Sequence, residues 1–173
     1  ADGRVARLVY LASPLPDITD TLNIDGYTQP GSAPNTDPEF SNAIVRVRVH
    51  GEAFTPERLF GVCAPDTTIR GLAMTGANPS GIAMSLVDHC AVGVKDRLRL
   101  LGNFFGLRAD GSTAETNQQS VTVDGADSLV GSEDPADRNV FAGGFGGIKF
   151  NAVATNSAAL GNLFGTDRTG QLD

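Results

Sequence analysis

The chain has 173 residues, the length of one ordinary domain, and its 21 glycines and 9 prolines indicate frequent turns. Its 13 basic and 20 acidic side chains give a net charge of −7, the wrong sign for neutralising phosphates, which argues against nucleic acid or an anionic membrane as a partner. No apolar run approaches the ~18 residues of a membrane span, so no membrane insertion is expected. Residues 1–10 contain Asp2, Arg4 and Arg7, where a signal peptide would need an unbroken apolar stretch.

Apolar residues along the chain come in short bursts that glycine, proline, asparagine or aspartate interrupts before a helix could form. This pattern predicts an all-β chain of many short strands. In chain order we expect them at residues 5–11, 21–24, 44–49, 59–63, 68–74, 81–86, 90–94, 98–105, 121–123, 139–141, 147–150 and 159–164.

An internal repeat decides among the all-β architectures. Gly-Asn-Phe-Phe-Gly at 102–106 recurs as Gly-Asn-Leu-Phe-Gly at 161–165, and each copy is followed by a polar tail, 107–111 and 166–170. The segment 138–141 repeats the Asn-apolar-Phe core, and 69–74 is similar without the asparagine. Irregular spacing between similar short strands is typical of a solenoid with loops of variable length.

We therefore predict a right-handed parallel β-helix, or β-solenoid, of about five to seven coils. Residues 1–173 would form a single domain, a segment of a longer solenoid, with N-terminal coils at 1–66 and repeat-containing coils at 67–173. Equivalent side chains would stack along the axis, and Asn103, Asn139 and Asn162 would form one such stack. The alternative is that these asparagines are unrelated turn residues. The interior would hold residues such as Leu98, Leu100, Ile148, Phe150, Phe105, Phe141 and Phe164.

Three segments carry a family resemblance: Leu-Ala-Ser-Pro-Leu-Pro-Asp-Ile-Thr-Asp at 11–20, Asn-Ile-Asp-Gly-Tyr-Thr-Gln-Pro-Gly at 23–31 and Thr-Ile-Arg-Gly-Leu at 68–72. With the Gly-Asn-x-Phe-Gly elements, they resemble bacterial proteins built from right-handed parallel β-helix repeats, in the broad pectate-lyase-like superfamily. The resemblance covers nearly the whole chain and implies a secreted or cell-surface protein. It does not imply a reaction, because fold analogy alone supplies none.

Catalytic residues are few. The segment 86–90 resembles the apolar-Asp-His core of a motif near pectate lyase sites, which makes Asp88 and His89 weak catalytic candidates; it lacks that motif's tryptophan. The alternative is a turn aspartate and a half-buried histidine. We expect His50, after the alternating segment 45–49, to be a surface residue at a strand end.

No metal site and no cofactor are predicted. The carboxylates of Asp124, Asp127, Glu133, Asp134 and Asp137 make Ca²⁺ possible, but their spacing matches neither an EF-hand loop nor a Gly-Gly-x-Gly-x-Asp repeat. A solvated loop is the favoured interpretation, and the polar tails 108–111 and 166–170 are interpreted in the same way.

Arginines outnumber lysines by eleven to two. Strand alternation places Arg46 and Arg48 outside if Val45, Val47 and Val49 point inward. The same argument places Arg70, Arg97 and Arg99 outside, about one coil apart. Stacked coils would then carry a basic strip suited to the carboxylates or sulfates of acidic glycans. The alternative is a set of dispersed surface ion pairs.

Cys63 and Cys90 lie 27 residues apart, about one coil, which is compatible with either a disulfide or two stacked free thiols. An oxidising extracellular setting would favour the bond.

We expect a non-catalytic β-solenoid segment of a secreted or surface-attached protein, acting as a stalk or adhesive surface that binds acidic polysaccharide. The alternative is a polysaccharide lyase, epimerase or glycoside hydrolase with its site in the outer groove. A third possibility is self-association through the open C-terminal coil, which charged or proline residues at Leu163 and Phe164 would suppress.

Overall fold

The computed structural model describes residues 6–13, 15–51, 58–77, 82–86, 90 and 95–171. These residues form fifteen β-strands, β1 to β15 in chain order, and two short 3₁₀ turns at Gly26–Thr28 and Pro135–Asp137. Within the described residues there is no α-helix, and so none long and apolar enough to cross a membrane.

The strands form three sheets, and every pairing between them is parallel. The first sheet consists, in spatial order, of β1 (Arg7–Tyr10), β3 (Val47–His50), β6 (Leu72–Thr75), β9 (Phe104–Phe105), β12 (Val140–Phe141) and β15 (Leu163–Phe164). The second consists of β4 (Arg58–Val62), β7 (Ile82–Leu86), β10 (Asn117–Val123) and β13 (Gly144–Phe150). The third consists of β2 (Asn23–Asp25), β5 (Thr68–Arg70), β8 (Arg99–Leu101), β11 (Leu129–Val130) and β14 (Ala158–Ala159).

The chain visits the sheets in a fixed order. From β3 to β15 it passes from the first sheet to the second, then to the third, and back to the first. Between β1 and β2, Ile18 forms a parallel bridge with Val62 at the edge of the second sheet, so the same order already holds there. The prediction of an all-β chain is confirmed, and its strands pair in parallel.

Glycine corners divide three of the predicted strands. Gly71, Gly102 and Gly161 have φ angles of 68°, 63° and 64°, a backbone conformation that residues with a Cβ atom rarely adopt. The segments 68–74, 98–105 and 159–164 therefore each turn from the third sheet into the first instead of continuing straight. The Tyr27 hydroxyl donates to the carbonyl of Gly102 at 2.6 Å and ties an early loop to this corner.

Other strand predictions differ in their bounds. Strands β10 and β13 begin before the predicted 121–123 and 147–150, and β11 was not predicted. Neither extension was predicted, because β10 begins with polar residues and β13 with a glycine-rich segment, and an apolar pattern does not mark either as strand. The predicted strand 90–94 lies, apart from Cys90, outside the described residues.

One apolar cluster takes side chains from all three sheets. It includes Met74 and Phe105 of the first sheet, Val121 of the second and Leu100 of the third, all fully buried. Burial of each such large side chain stabilises the fold by about 1.5–3 kcal/mol. Leu98, Leu100, Phe105 and Phe141 are buried as predicted.

Because the strands of each sheet are parallel and in register, side chains at equivalent positions stack on one another. In the first sheet the aligned positions are Val9, Val49, Met74, Phe105, Phe141 and Phe164. The rings of Phe105, Phe141 and Phe164 lie nearly parallel with centroids 4.7 and 4.8 Å apart, the spacing of neighbouring strands. Phe164 itself is 52% exposed because β15 is the last strand of its sheet, so its predicted burial is wrong.

Three asparagines form a hydrogen-bonded ladder beside the glycine corners. The Asn139 side-chain oxygen accepts from the backbone N–H of Asn103 at 2.8 Å, and its amide nitrogen donates to Leu100 O and to Asn162 Oδ1, both at 2.9 Å. Asn103 similarly accepts from Leu72 N at 3.1 Å and donates to Ile69 O at 2.9 Å. The prediction that Asn139 and Asn162 stack is confirmed.

Cys63 and Cys90 form a disulfide with their Cα atoms 5.5 Å apart. It joins Cys63, which directly follows β4, to Cys90 in the connection between β7 and β8. Of the two states left open by the sequence, the bonded one is present.

The last strands of the three sheets, β13, β14 and β15, are consecutive in the chain. Phe145 on β13 is 90% exposed, and Phe164 is half exposed. Apolar side chains thus lie on unpaired edges in this part of the fold, and self-association through them stays a prediction.

Replacing Asn139 by Ala should lower the free energy of unfolding by about 2–4 kcal/mol, because the Asn103 N–H and the Leu100 carbonyl lose their buried partner. Urea denaturation measures the change. Asn23→Ala, on an exposed position of β2, is the control and should change stability by less than about 0.5 kcal/mol. Equal effects of the two substitutions would contradict the role of the ladder.

Replacing Cys63 and Cys90 together by Ser should lower the free energy of unfolding by about 2–4 kcal/mol, because the bridge closes a loop in the unfolded chain. Chemical denaturation of the oxidised and substituted proteins measures this. Mass spectrometry after alkylation without reductant should find no labelled cysteine, whereas two labelled thiols in the native protein would contradict the bond.

Candidate functional site: a groove over the first sheet

The central strands β6, β9 and β12 of the first sheet are buried on both faces. One face joins the interior cluster, and the other packs against a second apolar cluster that includes Val45, Phe104, Leu107 and Val140. Two loops, residues 33–44 and 107–114, cover this outer face, and each is closed at its base by an antiparallel bridge, Ala33 with Ile44 and Leu107 with Ala114.

A groove runs between these loops. It consists of two adjoining cavities of about 790 and 380 Å³ that share four lining residues, Val45, Arg46, Ala109 and Asp110. The larger cavity is also lined by Phe40, Ile44, Asp37 and Arg168, and the smaller by Leu8, Arg48 and Arg108. The groove is therefore continuous, with apolar surface between charged groups.

Four arginines reach this groove from different segments. Arg46 Nε donates to Gly31 O at 3.2 Å, and an Arg168 guanidinium nitrogen donates to Ala43 O at 3.3 Å. Arg108 pairs with Glu115 at 3.1 Å, and Arg48 also contacts Glu115. Two of the four guanidiniums thus share one carboxylate.

Asp37 and Asp110 are the carboxylates that line the groove, and both accept hydrogen bonds from nearby groups of their own loops. Backbone N–H groups of Phe40 and Glu39 hold the pKa of Asp37 below its ordinary value. Partial burial raises the pKa of Asp110, but hydrogen bonds from Ser112 and Thr113 outweigh it and lower the pKa overall. Both side chains are ionised at neutral pH.

The groove is locally more positive than the chain. Among the residues that the structure describes, four arginines, Arg46, Arg48, Arg108 and Arg168, lie here with three carboxylates, those of Asp37, Asp110 and Glu115. The chain as a whole carries −7. This described part of the groove therefore attracts an anion more than the overall charge of the chain would.

His50 lies beneath the groove and is only 3% exposed, so its prediction as a surface residue is wrong. The segment 107–116, which contains the loop 107–114, brings Glu115 over the end of β3. Nothing in the sequence around His50 indicates that this distant segment covers it. His50 Nδ1 lies 2.9 Å from Thr75 Oγ1 and 3.0 Å from an Arg48 nitrogen. Because a guanidinium can only donate, Nδ1 is the acceptor in its contact with Arg48.

The described contacts of His50 do not form a nucleophile triad. Among the described residues, Thr75, Arg48 and Glu115 all face the same ring nitrogen, with Glu115 Oε2 at 3.6 Å, whereas a triad needs hydroxyl and carboxylate on opposite nitrogens. The Thr75 side chain is also fully buried. The cluster therefore fixes Arg48 in place: Arg48 Nε donates to Thr75 Oγ1 at 2.9 Å.

The five arginines proposed for ligand binding do not form one strip. Arg46 and Arg48 reach the groove over the first sheet, whereas Arg70 and Arg99 lie on the third sheet and Arg97 directly precedes it. Arg70 and Arg99 do point away from the buried Ile69 and Leu100, as strand alternation predicts. Val45 packs in the outer cluster rather than inward, because β3 begins only at Val47.

Each arginine of the third sheet has local partners. Arg97 forms two 2.7 Å hydrogen bonds with Asp66, Arg99 donates to Asp127 O at 2.7 Å, and Arg70 lies 3.7 Å from Asp25 and over the Tyr27 ring. Arg108 and Arg168 were not proposed as site residues. The sequence could have indicated both residues, because each lies in a polar tail that follows a Gly-Asn-x-Phe-Gly element.

The remaining candidates form no second site within the part of the chain that the structure describes. Asp88 and His89 lie outside the described residues. In the acidic stretch, Asp134 caps the second 3₁₀ turn, Asp137 accepts from Ser132, and Asp124 bonds to Asn151. Across the described ranges, no three His, Cys, Asp or Glu side chains come together as metal ligands.

No protein-family model, curated protein or solved structure matches the chain.

Replacing Asp110 by Asn should destabilise the protein more at pH 7 than at pH 3. A lowered pKa in the folded state means that the carboxylate stabilises the fold above the ordinary Asp value of 3.8, and that this stabilisation is lost as the pH falls through the folded-state value. Urea denaturation of both proteins at the two pH values measures it. A difference in stability that is independent of pH would contradict this role.

Proposed function

We propose that the chain folds as a right-handed parallel β-helix of about five to seven coils, in which the four coils from β3 to β14 each contribute one strand to each sheet. Three observations support this: the parallel sheets, the fixed order in which the chain visits them, and the apolar cluster shared by all three. Right-handed crossover between parallel strands is the general rule and sets the proposed hand.

We propose that this scaffold binds acidic polysaccharide in the groove over the first sheet, as a non-catalytic part of a secreted or surface-attached protein. The observation that carries the proposal is the convergence of four arginines on one open groove in an acidic chain. Guanidinium groups match carboxylates and sulfates through paired hydrogen bonds, and an open groove suits an extended polymer.

The shape and lining of the groove favour a glycan over other anions. Apolar patches from Ile44, Val45 and Leu8 alternate with the arginines, as suits sugar rings that carry charged substituents. The overall charge of −7 opposes the dense phosphates of nucleic acid. The Cys63–Cys90 disulfide supports an oxidising location such as the cell exterior.

The alternative is a polysaccharide lyase, epimerase or glycoside hydrolase that uses the same groove. The arginines would then neutralise a uronate carboxylate, and a proton acceptor would be needed beside it. Incubation with polygalacturonate, with and without Ca²⁺, separates the two functions: new chain ends or unsaturated sugars would favour the enzyme, and binding without turnover would favour the scaffold.

Binding of polygalacturonate and chondroitin sulfate by calorimetry tests the proposal, with neutral dextran as the control ligand. Arg168→Gln should weaken binding of the acidic polymers by about three- to tenfold, because it removes one charge from the larger cavity. Affinity should fall with added salt.

Arg97→Gln is the matched control, since it removes the same charge from the third-sheet side. It should leave affinity within about twofold of the unsubstituted chain. Loss of binding in Arg97→Gln but not in Arg168→Gln would place the site on the third sheet and contradict the groove.

A further inference from the structure

We infer that Arg48 and Arg108 form a second anion subsite of the groove, and that Glu115 occupies it as an internal counter-ion which an acidic group of the ligand must displace. The ligand class rests on the proposed function. The occupied subsite rests on the contacts of Glu115 alone.

The geometry places Glu115 where a ligand anion would bind. Its carboxylate contacts Arg48 through one oxygen and lies 3.1 Å from Arg108 through the other. Both arginines also line the smaller cavity, so the carboxylate bridges two cations at the wall of the groove. A bridging carboxylate is the interaction that a uronate or sulfate would itself make with two guanidiniums.

The two arginines differ in freedom. Arg48 is fixed by its bonds to Thr75 and His50 on the first sheet, whereas Arg108 belongs to a loop and its side chain is 47% exposed. The subsite thus pairs one rigid cation with one that can turn toward a ligand.

In the described residues the Glu115 carboxylate is held by two arginines. Its Oε1 atom accepts a hydrogen bond from Arg108 at 3.1 Å, and its Oε2 atom contacts Arg48. The backbone N–H of Glu115 donates to Gly106 O at 2.7 Å, which fixes the main chain but not the carboxylate. Rotation of the Glu115 side chain, 21% exposed, would open the subsite without moving the loop.

This arrangement defines the ligand further. Arg168 lines only the larger cavity, Arg48 and Arg108 line only the smaller, and Arg46 lines both, so full occupancy needs at least two acidic groups on one molecule. A polymer with repeated acidic groups satisfies this, because its first contact raises the effective concentration of the next group. A monosaccharide acid would gain only one subsite.

The test compares Glu115→Gln with Glu133→Gln, an exposed site outside the groove where the same charge is removed. Glu115→Gln should bind polygalacturonate about two- to fivefold more tightly than the unsubstituted chain, because one competing carboxylate is removed from the subsite, while Glu133→Gln should not. Adding Arg108→Gln to Glu115→Gln should cancel the gain, because the released cation is then absent.

Thermal unfolding of each variant establishes that it is folded. If Glu115→Gln does not fold, Glu115→Asp draws the carboxylate back by one methylene and should also tighten binding. A folded variant that binds no more tightly than the unsubstituted chain, or a gain that survives Arg108→Gln, overturns the inference.

The outcomes separate this inference from the proposed function. Binding by the unsubstituted chain with no gain in Glu115→Gln would overturn the inference alone. Binding only after Glu115→Gln would support the occupied subsite and contradict the proposed function of the unsubstituted chain. No binding by either would overturn both.

Discussion

Buried asparagine amides hold the corner at which the chain passes from the third sheet into the first, and the register of the fold depends on them. Asn139 forms hydrogen bonds with the asparagines of the preceding and the following corner, so each corner is fixed relative to its neighbours. A slip of one residue would leave buried amide groups unpaired, at a cost of about 1–3 kcal/mol for each group. The ladder therefore selects one register among several that the apolar pattern alone would allow.

The groove inherits its geometry from that register. Arg48 and Thr75 meet because β3 and β6 are aligned neighbours. Of the two loops that frame the groove, 33–44 leads into β3 and 107–114 follows β9, and both of these strands belong to the first sheet. Arg108 and Arg168, by contrast, lie in loops that follow corner elements of similar sequence. The site thus combines cations on rigid strands with cations on loops, and this explains why one of its arginines is fixed and another is largely exposed.

The sequence was sufficient to predict an all-β chain, the stacking of Asn139 on Asn162 and the outward direction of Arg70 and Arg99. These features follow from local pattern and from the repeat. It was insufficient where distant segments meet. His50 ends a strand as predicted, yet loop 107–116 buries it, and nothing near residue 50 encodes that cover. Strands were predicted too long at Gly102 and Gly161 because an apolar run continues through a glycine even where the backbone turns.

Loop length at the glycine corners varies widely while the ladder stays in contact. One residue separates β5 from β6 and two separate β8 from β9, but nine separate β11 from β12. Asn103 and Asn139 are nevertheless bonded across this longer excursion. Such a corner can absorb inserted sequence without changing the strands on either side, whereas the short corners cannot. The excursion 131–138 is accordingly the natural place to graft a foreign peptide or a reporter group, displayed at a fixed height on the scaffold.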